Sequence, residues 1–453
     1  MSEITRRDFV KLTGGLGAAG LLAACGLGGS ASTTTATGSG SGVSTTAAGS
    51  GGSTGANPKD LSLWIVDHDG AVRDVLENQI IPSFVDANPG YRVSPRYSGW
   101  ERYAEEVTTA FTGSVGPDVY QGGAVWVGQQ VDRGWALPLT PYVDQATGWD
   151  WEDFSPGSRD DVTVGDDIFA VPYRISPQTL WYRSDVLGEE GFNTPPTTWD
   201  ELRTVANATV RRDAGGAITR EGFDTNLGGG PDWQAEMQRY WDFMYQAGGR
   251  FLSDDLSRCT LDEDPAVEAL QFMYSLIVED GVMPYPSFEN QGELSALELG
   301  LTATATFVEL PDLRVREYAP DQADFVKAAA PLSSDEQGTH IYVNKYFVSA
   351  ESKDPEGSWL LLQHLTSREN LEAYASASSY LTPRASLAGA DYLSDNLKTL
   401  ASAGEKYGIP YPRHPNLLEL FRPFSENLDR CFRGQQTPVE TMRQTVEAVN
   451  ALL

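Results

Sequence analysis

From Leu61 onward the chain predicts an α/β fold built on open, mostly parallel sheet, and three observations carry that prediction. Short apolar runs alternate with segments of helical spacing, the pattern of right-handed βαβ units. The 40% hydrophobic and 10% aromatic content is enough to fill real cores, which excludes a wholly disordered chain. At 453 residues the chain is too long for one compact domain and predicts two or three.

The first residues are not part of that fold. Thr5-Arg6-Arg7-Asp8-Phe9-Val10-Lys11 precedes an apolar run, Leu12 to Ala24, which is too short to span a bilayer and fits the hydrophobic region of an export signal. The arginine pair resembles a twin-arginine signal. Leu22-Ala23-Ala24-Cys25 resembles a bacterial lipobox, which predicts a signal peptide over 1–24 and a lipid on Cys25. From Gly26 to Asn57, 29 of 32 residues are Gly, Ala, Ser or Thr and none is charged. Such a stretch behaves as a flexible coil with a reach of about 30 Å, a tether between anchor and body.

The body is then read in order. Leu61–Val66 is a strand, Val72–Ala87 a helix stopped at Asn88-Pro89-Gly90, Tyr91–Tyr97 a strand and Glu101–Phe111 a helix. Pro117–Tyr120 is a third strand and Val125–Arg133 a third helix. Phe169–Tyr173 and Thr179–Arg183 are two close strands. Thr198-Trp199-Asp200-Glu201 is a capping box opening a helix through Leu202, Val205 and Ala206. Helices are predicted over Trp233–Tyr245, Ala266–Glu279 and Leu294–Leu299. Strands return at Thr302–Val308, Phe325–Ala330 and Ile341–Val348, and helices fill most of the rest.

Composition narrows function. The formal charge of −30 argues against a nucleic-acid partner and against adhesion to anionic lipid. The leader carries +1 and the linker none, so the mature chain carries −31, all of it on the body. Gly15-Leu16-Gly17-Ala18-Ala19-Gly20 matches G-x-G-x-x-G but lies in the leader with no strand before it, so it is no dinucleotide site. There is no Gly-Lys pair for a Walker loop, no H-E-x-x-H and no C-x-x-C. The four histidines pair with no cysteine at metal-ligand spacing, so neither a metal nor a cofactor is expected. With Cys25 assigned to lipid, Cys259 and Cys431 permit one disulfide or stand as two buried thiols.

Three segments now bear on family. Asp167-Ile168-Phe169-Ala170-Val171-Pro172-Tyr173, Leu180-Trp181-Tyr182-Arg183-Ser184-Asp185-Val186-Leu187 and Pro195-Pro196-Thr197-Thr198-Trp199-Asp200-Glu201-Leu202 form an ordered series. It resembles the central signature of family 1 extracellular solute-binding proteins, the maltose-binding type. Gly116-Pro117-Asp118-Val119-Tyr120 and Gly134-Trp135-Ala136-Leu137-Pro138-Leu139 fit upstream. Ser352-Lys353-Asp354-Pro355-Glu356-Gly357-Ser358-Trp359, Leu365-Thr366-Ser367 and Leu381-Thr382-Pro383-Arg384 fit downstream, so the resemblance covers nearly all of the body.

The resemblance implies a two-lobed periplasmic-binding-protein type II fold whose hinge the chain crosses more than once. The amino-terminal lobe would span 58–174 plus 332–378, the carboxy-terminal lobe 175–331 plus 379–453. It implies an ABC importer's substrate-binding lipoprotein, anchored by lipid outside the cytoplasmic membrane. As a monomer it would close on a sugar and deliver it to the membrane permease. One departure stands out. After the strand at 302–308 the family commonly places a Gly-Pro-Trp-like turn, and here the chain reads Val308-Glu309-Leu310-Pro311-Asp312. A carboxylate replaces a stacking ring, which leaves room for a hydroxyl-rich ligand bearing an amine.

A sugar needs rings against its C–H faces and polar side chains at its hydroxyl edges. Residues just past strand ends and at the crossings supply the candidates: His68 and Asp69; Trp100; Gln121 and Trp126; Tyr173 and Arg174 at the first crossing; Glu309 after the strand at 302–308; His340 and Tyr342 at the second crossing; and Tyr380 at the third, with Trp233 added where a helix begins after a Gly-rich loop. Each also has a plain structural reading, as core aromatic, loop residue or ion-pair partner. Trp181 and Trp199 sit in regular apolar patterns and belong to the core. Two other functions compete. One is a binding protein for a cationic solute such as a polyamine, on the strength of Glu309 and the acidic body. The other is a secreted carbohydrate-active hydrolase, which needs two carboxylates at fixed separation but finds neither a barrel pattern nor a local acid/base motif here.

Overall fold

The computed structural model describes residues 57–66, 70–228, 233–306, 310–378 and 380–453. The export signal, Cys25, the linker up to Ala56, and the candidates His68, Asp69 and Glu309 lie outside the described residues, as does the side chain of Trp233. Alternation of Leu61, Leu63 and Ile65 into the core makes β1 (Lys59–Val66) a half-buried strand. It pairs in parallel with β2 (Tyr91–Ser98) and with β3 (Val119–Gly122). Residues 70–87 between β1 and β2 are helical, with one wide turn at Leu76–Ile80, and bury Val72, Leu76, Ile80 and Phe84. α1 (Trp100–Thr112) follows β2 and the short α2 (Val127–Asp132) follows β3.

The next two strands, β4 (Val171–Pro177) and β5 (Trp181–Arg183), belong to different sheets although three residues separate them. After β5 come α3 (Trp199–Thr209), β6 (Arg211–Arg212), β7 (Ile218–Asp224), α4 (Trp233–Gln246), α5 (Asp264–Tyr274), β8 (Thr302–Ala305), β9 (Val326–Ala328) and the long β10 (Thr339–Val348). The last third is helical: α6 (Pro355–Leu365), α7 (Arg368–Ser378), α8 (Asp395–Tyr407), the two-residue β11 (Gly408–Ile409), α9 (Leu417–Phe432) and α10 (Pro438–Asn450). One sheet runs β11-β10-β3-β1-β2, with β4 also paired to β10; the other runs β9-β5-β8-β7-β6.

Both sheets are mixed rather than mostly parallel. β10 lies antiparallel to β3 and β4, and β5 antiparallel to β8 and β9. The chain leaves the first sheet along β4 and returns along β10, so the two crossing strands run in opposite directions side by side. A third crossing touches them where Leu381 bridges to Ile175.

Local chemistry explains the best-read elements. Thr198 Oγ1 accepts from the Glu201 backbone N–H at 3.3 Å and starts α3, while the Glu201 carboxylate reaches back to Thr197, one residue earlier than an ideal capping box. Trp199 and Trp181 are buried, Trp199 stacking on Phe272 at 4.6 Å. Two elements differ from the expectation. Leu294–Leu299 forms turns closed by Gly300 N–H to Leu297 O and Leu301 N–H to Ala296 O, not a helix. β7, with the polar sequence ITREGFD, is a strand because β8 pairs with it and Gly222 lets it lie against the backbone of Ala206 in α3.

The cysteine pair takes the second of its two readings. Cys259 and Cys431 are separate free thiols, each packed into the apolar core around α4, α5, α9 and α10. Burial pushes the Cys259 thiol up to about 12 and the Cys431 thiol up to about 11, so both stay protonated.

Candidate functional site

The strand period builds the site at the first two crossings. Ile175, Ile341 and Val343 point one way and pack with Leu397, Leu400 and Ala401 of α8. That leaves Arg174, Ser176, Tyr342 and Asn344 on the opposite face, where Tyr342 stands opposite Ser176 and Asn344 opposite Arg174. Above this floor is a cleft of about 660 Å³. One wall comes from the first sheet: Trp100 at the start of α1, then Gly123, Ala124, Val125 and Trp126 after β3. The other is the amino-terminal half of α4, with Gln234, Ala235, Gln238 and Arg239.

The aromatic wall is prepared in advance. The Trp126 ring stacks on Tyr103 at 5.8 Å, and Trp100 meets Trp126 edge-on at 6.4 Å. Tyr103 is fixed by donating to Trp64 O at 2.9 Å. Trp100 keeps 44% of its surface exposed, an apolar face available to a ligand. Both guanidiniums of the lining are engaged. Arg174 lies 3.5 Å over the Tyr380 ring, and Arg239 donates to Glu236 at 2.9 Å, both partners buried. Ser176, Gln178, Gln234, Gln238 and Asn344 make no side-chain hydrogen bond to any described residue. A second hollow of about 490 Å³ beside Trp149 has spent its main donor: Arg384 donates to the carbonyls of Trp149, Asp150 and Thr366 and to Asp153. The cleft at the crossings, with its open valences, is the candidate site.

Among the sequence candidates that can be placed, Trp100, Trp126, Arg174 and Tyr342 meet in this cleft, and Tyr380 supports it from behind Arg174. Three others lie outside the lining. Tyr173 is buried between Tyr346 and Tyr374, because its neighbour Arg174 takes the cleft face of β4 and successive strand residues alternate. Gln121 is buried beneath the cleft, accepting from Val66 N–H at 2.6 Å and donating to Tyr346 at 3.2 Å, so it ties β1, β3 and β10 together. His340 shares the face of Tyr342, but Trp241 and Tyr411 cover it; burial pushes its imidazole down to about 3 and keeps it neutral. The residues that sequence reading missed had simple signals. Ser176 and Asn344 stand two positions from Arg174 and Tyr342, and Gln234 and Gln238 are one helical turn apart.

No helix of the described residues is long and apolar enough to cross a membrane. The model of the bacterial extracellular solute-binding protein family matches residues 69–372. A putative binding protein of Brucella abortus is 23% identical over 382 residues, covering 83% of this chain and 89% of its own. The structure of the sugar-binding protein MalE from Xanthomonas citri superposes with a TM-score of 0.76 at 20% identity, covering 87% of this chain and 97% of that one. The cyclic alpha-maltosyl-1,6-maltose binding protein from Arthrobacter globiformis gives 0.74 at 20% identity, covering 87% and 99%. These likenesses establish the two-lobed fold of the maltose-binding type. The family match, spanning well over half of the length, carries the rest: this chain belongs to the bacterial extracellular solute-binding proteins.

Proposed function

We propose that the protein captures a sugar or sugar-like solute in the cleft at the crossing strands and delivers it to the membrane permease of an ABC importer. One observation carries the reading. Aromatic faces (Trp100, Trp126, Tyr342) and open neutral polar groups (Ser176, Gln178, Asn344) converge on one cavity of about 660 Å³, the pairing that C–H faces and hydroxyl edges demand. Neighbours of the same fold are named for binding a sugar, one of them cyclic alpha-maltosyl-1,6-maltose, which supports the same class here. The family and fold are those of binding proteins, which speaks against hydrolysis. The described lining holds no carboxylate, and Asp69 and Glu309, which raise the polyamine alternative, lie outside the described residues.

The proposal extends to the chain's two ends of travel. A lipid on Cys25 and the uncharged tether hold the protein at the outer face of the cytoplasmic membrane, where it acts as a monomer. The lobes are 58–174 plus 332–378 and 175–331 plus 379–453, closing about the crossing strands. Isothermal titration with neutral sugars, amino sugars and polyamines tests the ligand. Saturable one-to-one sugar binding is expected, and steady hydrolysis of a glycoside, or polyamine binding with no sugar response, contradicts it. Retention of a Cys25→Ala variant on the membrane contradicts the anchor.

A further inference from the structure

The resemblance ends the amino-terminal lobe at residue 378, yet the contacts that follow point back into that lobe. Leu381 O accepts from the Ile175 N–H at 2.9 Å, on the edge of β4. The chain then turns away from the crossing strands. Arg384, 1% exposed, donates to the carbonyls of Trp149 at 2.9 Å, Asp150 at 3.1 Å and Thr366 at 2.9 Å, and to the Asp153 carboxylate at 3.1 Å. Its guanidinium also lies over the Phe154 ring at 4.2 Å. Ser386 donates to Asp153 through its N–H and its hydroxyl, both at 2.8 Å. Pro383 O accepts from the Ser155 N–H at 2.8 Å, and Leu387 is buried in the same core as Leu61, Leu63 and Val119. These partners lie within the amino-terminal lobe. A buried guanidinium is costly to strip of its acceptors, so Arg384 stays with them.

The start of α8 is held on the other side. Ser394 Oγ donates to the Asp312 carboxylate at 2.6 Å. Asn396 Nδ2 donates to Asp312 at 2.9 Å and to Val326 O at 3.0 Å, and its Oδ1 accepts from the Ala328 N–H at 2.9 Å. Asp312 and β9, which carries Val326 and Ala328, lie within the carboxy-terminal lobe. Between the two attachments runs Ala388-Gly389-Ala390-Asp391. No side chain of these four hydrogen-bonds to a described residue, and a Cβ at Gly389 would meet open space. A few small, unattached residues between two fixed ends are where a hinge absorbs its change of φ and ψ.

We propose that residues 383–387, fixed by Arg384, travel with the amino-terminal lobe, and that the third crossing pivots at 388–391. The assignment rests on the lobe closure proposed above and moves its third boundary from 379 to 388. One consequence reaches the cleft. Tyr380 precedes the anchor and packs near Tyr374 of α7 at 6.3 Å, so it keeps its place behind Arg174 as the lobes move.

Pulsed electron-spin distance measurements on the mature protein test this. Labels are attached in pairs to Thr112→Cys in the amino-terminal lobe, Val439→Cys in the carboxy-terminal lobe and Ala385→Cys in the anchor, all exposed positions. The native Cys259 and Cys431 thiols are buried and protonated and stay unlabelled. Distances are read without ligand and with maltose, glucosamine or spermidine. The 112–439 and 385–439 distances are expected to vary together, and the 385–112 distance to stay single and narrow. Arg384→Met is expected to broaden the 385–112 distance; if that variant does not fold, the wild-type distances still decide. A fixed 385–439 distance with a varying 385–112 distance, or no broadening in a folded Arg384→Met, overturns this assignment alone. Three fixed distances throughout overturn the closure of the lobes and this assignment with it.

Discussion

Lys345 and Asp161 form an ion pair with almost no exposure to solvent, beside the bulge of β10. Burial lowers the lysine and raises the aspartate, which titrates near 6, and their mutual attraction opposes both shifts. Removing one partner strands a buried charge. Lys345→Met is therefore expected to cost about 3–5 kcal/mol in urea unfolding, and the double variant with Asp161→Leu clearly less. Asp242 shows the opposite arrangement, a buried carboxyl raised to about 7 by burial, with only the His340 N–H and the Thr339 hydroxyl to offset it. Its folded pKa exceeds the unfolded value near 3.9, so the stability it contributes is full below about pH 4 and is lost as pH rises to about 7. Against Asp242→Asn, the wild type should lose melting temperature between pH 4 and 7, and a constant difference would contradict this. At this scale, sequence marks residue type but not facing. Tyr173 and Arg174 were both candidates, and only the packing of Ile175 against α8 decides that Arg174 takes the cleft.

Elements were legible where a local rule closes them. The Thr437 hydroxyl accepts from the Glu440 N–H and the Glu440 carboxylate accepts from the Thr437 N–H, a complete capping box for α10. Thr437→Ala is expected to cost about 1 kcal/mol by thermal unfolding. α3 was read from the same signals of cap and 3.6-residue spacing, whereas the terminal helices were expected only as helix filling most of the rest. β7 escaped because nothing local makes ITREGFD a strand; its pairing with β8 does. Gly222 is the condition for that pairing, since a Cβ there would fall on the Ala206 carbonyl. Gly222→Val is expected to destabilise by more than about 2 kcal/mol, as overpacking against backbone does. The run at Leu294–Leu299 has apolar spacing but too few residues to sustain a helix, and turns win.

At the scale of the molecule, the order of strands and helices was enough to read an α/β body, and the family resemblance implied its two lobes and repeated crossings. The direction of the return was not legible. β10 runs back beside β4 from more than 150 residues away, and no local pattern records that pairing. The same crossing strands make the floor of the cleft, which is why Ser176 and Asn344 were missed together with the pairing. The body carries a charge of −31, while the open groups of the described lining are neutral. Ligand affinity should then change less than about two-fold between low and physiological salt, whereas a cationic ligand would weaken as charges are screened. The most direct measurement is a crystal structure of the mature protein with the tightest-binding sugar. The ring is expected between Trp100, Trp126 and Tyr342, with its hydroxyls on Gln234 and Gln238. A sugar bound elsewhere, with this cleft holding only solvent, would contradict the account.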